Sequence, residues 1–199
     1  MNARLSRFAI LTVSDRASRG DYEDLGGPAV EAWLRRVVAA PFDVLRRIIP
    51  DGSEPVRNAI VDLADRDQAD LILTTGGTGP SPRDLTPEGT RAALDKELPG
   101  FGELMRRKSL EQVPTAILSR QIAGIRGQTL VINLPGNPSS IKVCLDAVFS
   151  AVPYCLDLIG ATRIEVDSDF VACYRPGTLG GRATDDGACP TGKEWPPLT

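Results

Sequence analysis

Four short strand-like segments in this chain each end on a polar loop, and a helical pattern follows each loop. Residues 8–13 are a nearly continuous apolar run, 70–75 read as a further buried strand, and 42–49 and 129–134 complete the set. An apolar run without alternation belongs to a strand covered on both faces, and strands separated by helices join in parallel. Val30, Trp33, Leu34 and Val37 recur at helical spacing after Pro28, a residue suited to the first helical position. Val56, Ile60 and Leu63 do the same after Ser53, which suits an N-cap, and Ile141, Leu145 and Val148 after Ser139. Thr86-Pro87-Glu88 reads as a further helix start. The predicted fold is an α/β domain with an open, mostly parallel sheet and helices on both faces. Pro99-Gly100-Phe101-Gly102 is expected to break the chain before a basic helix around Met105 and Lys108, and residues 170–174 to add an edge strand.

The length of 199 residues suits one domain, read as residues 1–174. Residues 175–199 are rich in Gly, Pro, Thr and Asp, and are expected to form a flexible C-terminal tail. Residues 1–7 lack a long apolar stretch behind a basic start, so no signal peptide or membrane segment is expected, and the compartment is expected to be cytoplasmic. A net charge of −3 argues against a nucleic-acid partner. Histidine is absent, which removes Ser-His-Asp and Cys-His catalysis and His-ligated metal sites. Cys144, Cys155, Cys173 and Cys189 show no C-x-x-C spacing and read as ordinary thiols. Any chemistry must run on carboxylates, Lys, Arg, hydroxyls or backbone amides.

Ligands of open α/β sheets sit at the carboxyl ends of the strands, where the four polar loops fall. Thr74-Thr75-Gly76-Gly77-Thr78-Gly79 follows a buried strand, so its amides can approach an anion; it can equally be a turn that redirects the chain. It matches neither G-x-x-x-x-G-K-[ST] nor G-x-G-x-x-G. Asp84, beside Arg83, and Asp51 each read either as turn residues or as carboxylates facing one cleft, where two of them can hold Mg²⁺ with phosphate oxygens. Leu134-Pro135-Gly136-Asn137-Pro138 is a rigid strand-to-helix turn or a second anion cradle at a helix N-terminus. Ser119-Arg120 offers a hydroxyl and a fork of donors suited to phosphate or a pterin ring. Arg106-Arg107-Lys108 reads as a solvated helix face.

Together these segments resemble the molybdopterin adenylyltransferase family of molybdenum-cofactor biosynthesis. The resemblance rests on Val13-Ser14-Asp15-Arg16-Ala17-Ser18, Ile49-Pro50-Asp51, Thr74-Thr75-Gly76-Gly77-Thr78-Gly79-Pro80 with Arg83-Asp84-Leu85-Thr86-Pro87-Glu88, Pro99-Gly100-Phe101-Gly102-Glu103, Pro114-Thr115-Ala116-Ile117-Leu118-Ser119-Arg120 and Leu134-Pro135-Gly136-Asn137-Pro138, in that order. It covers roughly residues 8–160. It implies a three-layer α/β/α sandwich, a homotrimer, ATP and molybdopterin as substrates with Mg²⁺, and transfer of AMP to the terminal phosphate of the pterin with release of pyrophosphate. Asp51 and Asp84 match its catalytic, Mg²⁺-linked acids. Ser14, Asp15, Gly76, Gly77, Thr78, Gly79, Arg83, Thr86, Glu88, Ser119, Arg120, Pro135, Gly136 and Asn137 match its binding segments. Hand-over of the product to a molybdenum-insertion enzyme is a further implication. The alternative is a non-catalytic pterin-binding or scaffold protein of the same fold.

Overall fold

The computed structural model describes residues 4–175. Its sheet has six strands in the order β2-β1-β3-β6-β5-β4: β1 (Ser6–Val13), β2 (Phe42–Ile49), β3 (Leu71–Thr75), β4 (Lys96–Glu97), β5 (Ala123–Arg126) and β6 (Thr129–Leu134). The pairs β1–β2, β1–β3 and β3–β6 are parallel, whereas β5–β6 and β4–β5 are antiparallel. The expected mostly parallel sheet is present, but its antiparallel edge was not foreseen. Gly124 and Arg126 give β5 little apolar signal, and β4 is the exposed pair Lys96-Glu97.

The helices are α1 (Asp15–Ser18), α2 (Gly26–Val37), α3 (Ser53–Val61), α4 (Thr86–Ala93), α5 (Pro99–Leu110), α6 (Pro138–Val148) and α7 (Val152–Leu158). The apolar side chains form two clusters, one on each side of the sheet. Phe8, Ile10, Leu71, Leu73, Leu130 and Ile132 meet Trp33 and Leu34 of α2, Met105 of α5, Leu145 of α6 and Leu156 of α7. Ala9, Leu11, Ile72 and Val131 point the other way, onto Val56 and Ile60 of α3 and Ala93 of α4. Alternate residues of one strand thus enter opposite layers, which is why the centres of β1 and β3, Phe8–Leu11 and Leu71–Leu73, are apolar without alternation.

Two local expectations are corrected. Pro99-Gly100-Phe101-Gly102 does not break the chain but forms the first turn of α5, with Pro99 where a missing N–H costs nothing. Residues 170–174 form no strand. The amides of Phe170 and Val171 both donate to the Asp167 carbonyl in a turn, and the nearest strand-like pairing is the single bridge between Val38 and Val166. Smaller shifts occur at helix starts: α2 begins two residues before Pro28, and Gly52, not Ser53, is the N-cap of α3.

Residues 176–199 of the expected tail lie outside the described residues. Its first residue, Arg175, pairs with Asp157 at 2.6 Å and Glu165 at 3.1 Å.

Candidate functional site

The register aligns the ends of the four parallel strands. Val13 lies beside Ile49, Thr12 beside Thr75, and Thr75 beside Leu134. The loops after them therefore form one crest at the carboxyl edge of the sheet. The chain winds outward from β1 to β2 and then returns across β1 to β3, so the topological switch lies at β1 and β3, beneath the Ser14 and glycine loops.

At one end of the crest two aspartates hold each other's loops. Asp15 N–H donates to Asp51 Oδ2 at 2.7 Å, and Asp51 N–H donates to Asp15 Oδ1 at 3.1 Å. Arg83 donates to both oxygens of Asp15, at 3.1 and 3.0 Å, and to the Asp51 carbonyl at 2.7 Å. The Arg83 guanidinium holds the Asp15 carboxyl below its ordinary range, and Asp15 raises Arg83 in turn. Ser14 caps α1, its hydroxyl accepting from Ala17 N–H at 3.2 Å.

The glycine loop occupies the middle. Gly76 and Gly77 have φ of +99° and +61°, conformations that disfavour any Cβ. A Cβ on Gly76 would run into the Val13 carbonyl; one on Gly77 would run into Thr86 Oγ1 and lie 3.3 Å from Asp51 Oδ1; one on Gly79 would lie 2.8 Å from Asp84 Oδ2. The glycines thus let the loop close on its own neighbours. Its amides are nevertheless available: among the described residues, the N–H groups of Gly77, Thr78 and Gly79 have no protein acceptor. Thr86, the first residue of α4, donates its hydroxyl to the Gly76 carbonyl at 2.9 Å and its N–H to the Gly77 carbonyl at 3.0 Å. Asp84 Oδ2 accepts from Ser81 N–H at 3.2 Å.

Arg120 fastens the far side of this loop. Its guanidinium donates to the Gly79 carbonyl at 2.9 Å, to the Asp84 carbonyl, and to both oxygens of Glu88. Its own N–H donates to the Thr78 carbonyl at 2.9 Å. Burial opposes the charge on Glu88, but the Arg120 pair outweighs it and holds that carboxyl below its usual value. Pro135-Gly136-Asn137 closes the crest: the Pro135 carbonyl accepts from Thr75 Oγ1 at 2.8 Å, and Asn137 caps α6 through Ser139 N–H at 3.0 Å. Between this turn, the loop and the 3-10 segment Pro114–Leu118 lies a cavity of about 240 Å³, into which Thr78, Gly79, Ser119, Gln121, Pro135 and Ser140 face.

The structure therefore brings all the expected site residues to one edge of the sheet. It gives Arg83 and Arg120 a role the sequence did not suggest, because both forks already bind protein groups and set the positions of Asp15, Asp51 and Asp84. Three further polar residues support the crest, Asn133 and Gln121 buried and Asp24 half-buried. Asn133 donates to Thr74 Oγ1 and Thr90 Oγ1 beneath the loop, at 3.0 and 2.9 Å. Asp24 accepts from Thr12 Oγ1 at 3.0 Å and from Gly27 N–H at 2.9 Å. Gln121 backs Ser119. A polar residue within an apolar run, such as Asn133 in TLVINL, was the available signal.

Among the described residues, no three His, Cys, Asp or Glu side chains converge as a metal cluster. Asp51 Oδ1 and Asp84 Oδ1 accept no hydrogen bond from a described residue. Two such carboxylates on either side of free amides suit Mg²⁺, which keeps waters and is held by one or two carboxylates together with substrate phosphates.

Fold and crest together define an α/β domain that presents unpartnered loop amides at a topological switch point, the place where such folds bind ligands. Residues 9–154 match a family model described as a probable molybdopterin binding domain. The chain is 50% identical over 169 residues to a molybdopterin adenylyltransferase of Helicobacter pylori, covering 85% of this chain and 96% of that protein. It is 46% identical over 182 residues to the molybdopterin adenylyltransferase of Escherichia coli, covering 85% and 93%. Its fold matches the molybdopterin biosynthesis enzyme MoaB of Thermus thermophilus with a TM-score of 0.73 at 42% identity, over 81% of this chain and all of that one. The Mog protein of Mycobacterium ulcerans matches with a TM-score of 0.72 at 42% identity, over 77% and 99%. The chain belongs to the molybdopterin adenylyltransferase family.

Proposed function

We propose that this protein transfers AMP from ATP to the terminal phosphate of molybdopterin, giving adenylyl-molybdopterin and pyrophosphate. The observation that carries this reading is the placement of Asp51 beside Gly77 and of Asp84 beside Gly79, in a loop with three unpartnered amides at the strand ends where such folds bind ligands.

The reaction joins a phosphate oxygen of the pterin to the α-phosphorus of ATP and breaks the bond from that phosphorus to the β-phosphate bridging oxygen. The nucleophile is already ionised at neutral pH, so the lack of histidine is no obstacle; positioning and charge neutralisation are what the site must provide. The amides of Gly77, Thr78 and Gly79 hold phosphate oxygens, and the N-termini of α4 and α6 add a favourable dipole. Asp51 and Asp84 would hold Mg²⁺, which supplies neutralisation of the triphosphate when bound. Asp15 and Arg83 keep Asp51 in place, and Arg120 with Glu88 keeps Asp84 in place. The exposed apolar residues Val113, Ile117 and Leu118 beside the cavity support a subunit or partner contact, in keeping with a homotrimer and with hand-over to a molybdenum-insertion enzyme. Among the described residues no helix is long and apolar enough to cross a membrane, which accords with a cytoplasmic place of work.

The test measures pyrophosphate release from ATP on addition of molybdopterin, alongside pterin affinity, in wild type, Asp51→Asn and Asp84→Asn. Each variant should lose about 10²–10³ in turnover and keep most of its pterin binding. The double variant should lose less than the product of the two. Turnover by Asp84→Asn within a few-fold of wild type overturns the assignment. Pterin binding without any pyrophosphate from the wild type supports the scaffold reading instead.

A further inference from the structure

Gln121 is 2% exposed, yet it lies against the cavity beside the glycine loop. Its surroundings leave its amide one sensible orientation. Nε2 faces two sulfur acceptors, Met105 Sδ at 3.4 Å and Cys144 Sγ at 3.2 Å. Turning the amide over would set Oε1 against the Met105 thioether, which has no hydrogen to give. Burial pushes the Cys144 thiol up, so it stays protonated at neutral pH, and its sulfur also lies within 3.7 Å of the Ser109 hydroxyl. With Nε2 held by the sulfurs, Oε1 points to Ser119 and accepts the hydrogen of its hydroxyl.

A hydroxyl has one hydrogen and two lone pairs. Once the hydrogen of Ser119 is directed inward to Gln121, only lone pairs are left for the cavity. We propose that Gln121 is a positioning residue that makes Ser119 a dedicated acceptor, so that this cavity selects a ligand edge bearing an N–H donor, namely the exocyclic amino group of a fused heteroaromatic ring. This rests on the proposed reaction, both of whose substrates, the pterin and the adenine nucleotide, carry such a group. Gly79, Pro135 and Thr115, Ala116 and Leu118 of the 3-10 segment line the same cavity of about 240 Å³, and their small and apolar surfaces can take the faces of a ring.

The experiment measures dissociation constants for molybdopterin, ATP and purine riboside triphosphate, which lacks the amino group. The proteins are wild type, Gln121→Leu, Gln121→Glu, Ser119→Ala and the double variant Gln121→Leu with Ser119→Ala. Binding is read directly, so the outcome stands apart from turnover, and a wild type that binds but releases no pyrophosphate sinks only the proposed reaction. Gln121→Leu should weaken one substrate by roughly tenfold and leave the other within about threefold. Gln121→Glu, kept protonated by its burial, turns an O–H to the sulfurs and a carbonyl to Ser119 and should restore most of that loss. The double variant should be no weaker than the worse single variant, because both act on one hydrogen bond. If the selected edge is that of adenine, wild type should prefer ATP over purine riboside triphosphate and Gln121→Leu should lose that preference. If it is that of the pterin, the preference should be equal in both proteins while molybdopterin binding weakens. The proposal is overturned if both substrates weaken together in step with a falling Tm, if Gln121→Glu behaves like Gln121→Leu, if the losses multiply in the double variant, or if no affinity changes. Should Gln121→Leu fail to fold, Gln121→Glu against Ser119→Ala still decides: equal losses in both contradict the proposal.

Discussion

Gly77→Ala isolates the way the glycine loop is built. At φ +61° an alanine sits in the left-handed region, which costs about 1–2 kcal/mol. Its Cβ would also enter the space of Thr86 Oγ1, a buried hydroxyl donating to the Gly76 carbonyl at 2.9 Å. Displacing that hydroxyl forfeits a hydrogen bond of about 0.5–1.5 kcal/mol. The two effects together predict a loss of roughly 2–3 kcal/mol, within the stability of an ordinary domain, so the variant should fold. Urea denaturation should show a lower midpoint at unchanged slope. The same substitution in a Thr86→Ala background meets no hydroxyl and should cost only the backbone strain, leaving a coupling of about 1 kcal/mol between the sites. Asp51 Oδ1 lies 3.3 Å from the new methyl, so turnover should also fall even where the fold holds. A cost below about 0.5 kcal/mol, or the same cost in both backgrounds, rules out the clash with Thr86 Oγ1.

Arg120→Lys replaces a fork with a single ammonium that cannot serve Glu88 and two carbonyls together. With the Arg120 side chain 37% exposed, screening limits the expected loss to about 1–2 kcal/mol, or roughly 2–8 °C in Tm; no change in Tm contradicts the clamp. The carboxyls of Asp15 and Glu88 are both depressed in the folded protein, so their contribution is present above the unfolded values of about 3.9 and 4.3. It is lost as pH falls through the lowered folded values. In a series of melting curves below about pH 4, Asp15→Asn should therefore lose stability less steeply than wild type, and identical slopes count against the Arg83 contact.

Much of this architecture is readable in the residues. The apolar runs of β1 and β3 announce strands buried on both faces, and the helices covering them repeat Val30, Trp33, Leu34 and Val56, Ile60 at helical spacing. The carboxyl-end loops fall where alternation predicts, which is why Asp15, Asp51, Gly77 and Asp84 can be nominated before any coordinate is seen. What the residues conceal is long-range. β4 is an exposed Lys-Glu pair and β5 only four residues long, so β5 is fixed by its register with β6 and β4 by its register with β5. Pro99-Gly100 reads as a break because local propensity says nothing of the packing of Phe101 and Met105 that stabilises α5. The ion pairs of Arg83 with Asp15 and of Arg120 with Glu88 are invisible in sequence because the partners lie 68 and 32 residues away.

Transfer of the α-phosphate of ATP to the pterin can be followed with labelled ATP. Wild-type protein is incubated with molybdopterin, Mg²⁺ and ATP labelled at either the α or the γ position, and the pterin product is separated from free nucleotide. The α-label should appear on the pterin in equal amount to the pyrophosphate released, and the γ-label should appear only in the pyrophosphate. A pterin product that carries the γ-label, or one that carries no label at all while molybdopterin is bound, rules out adenylyl transfer by this protein.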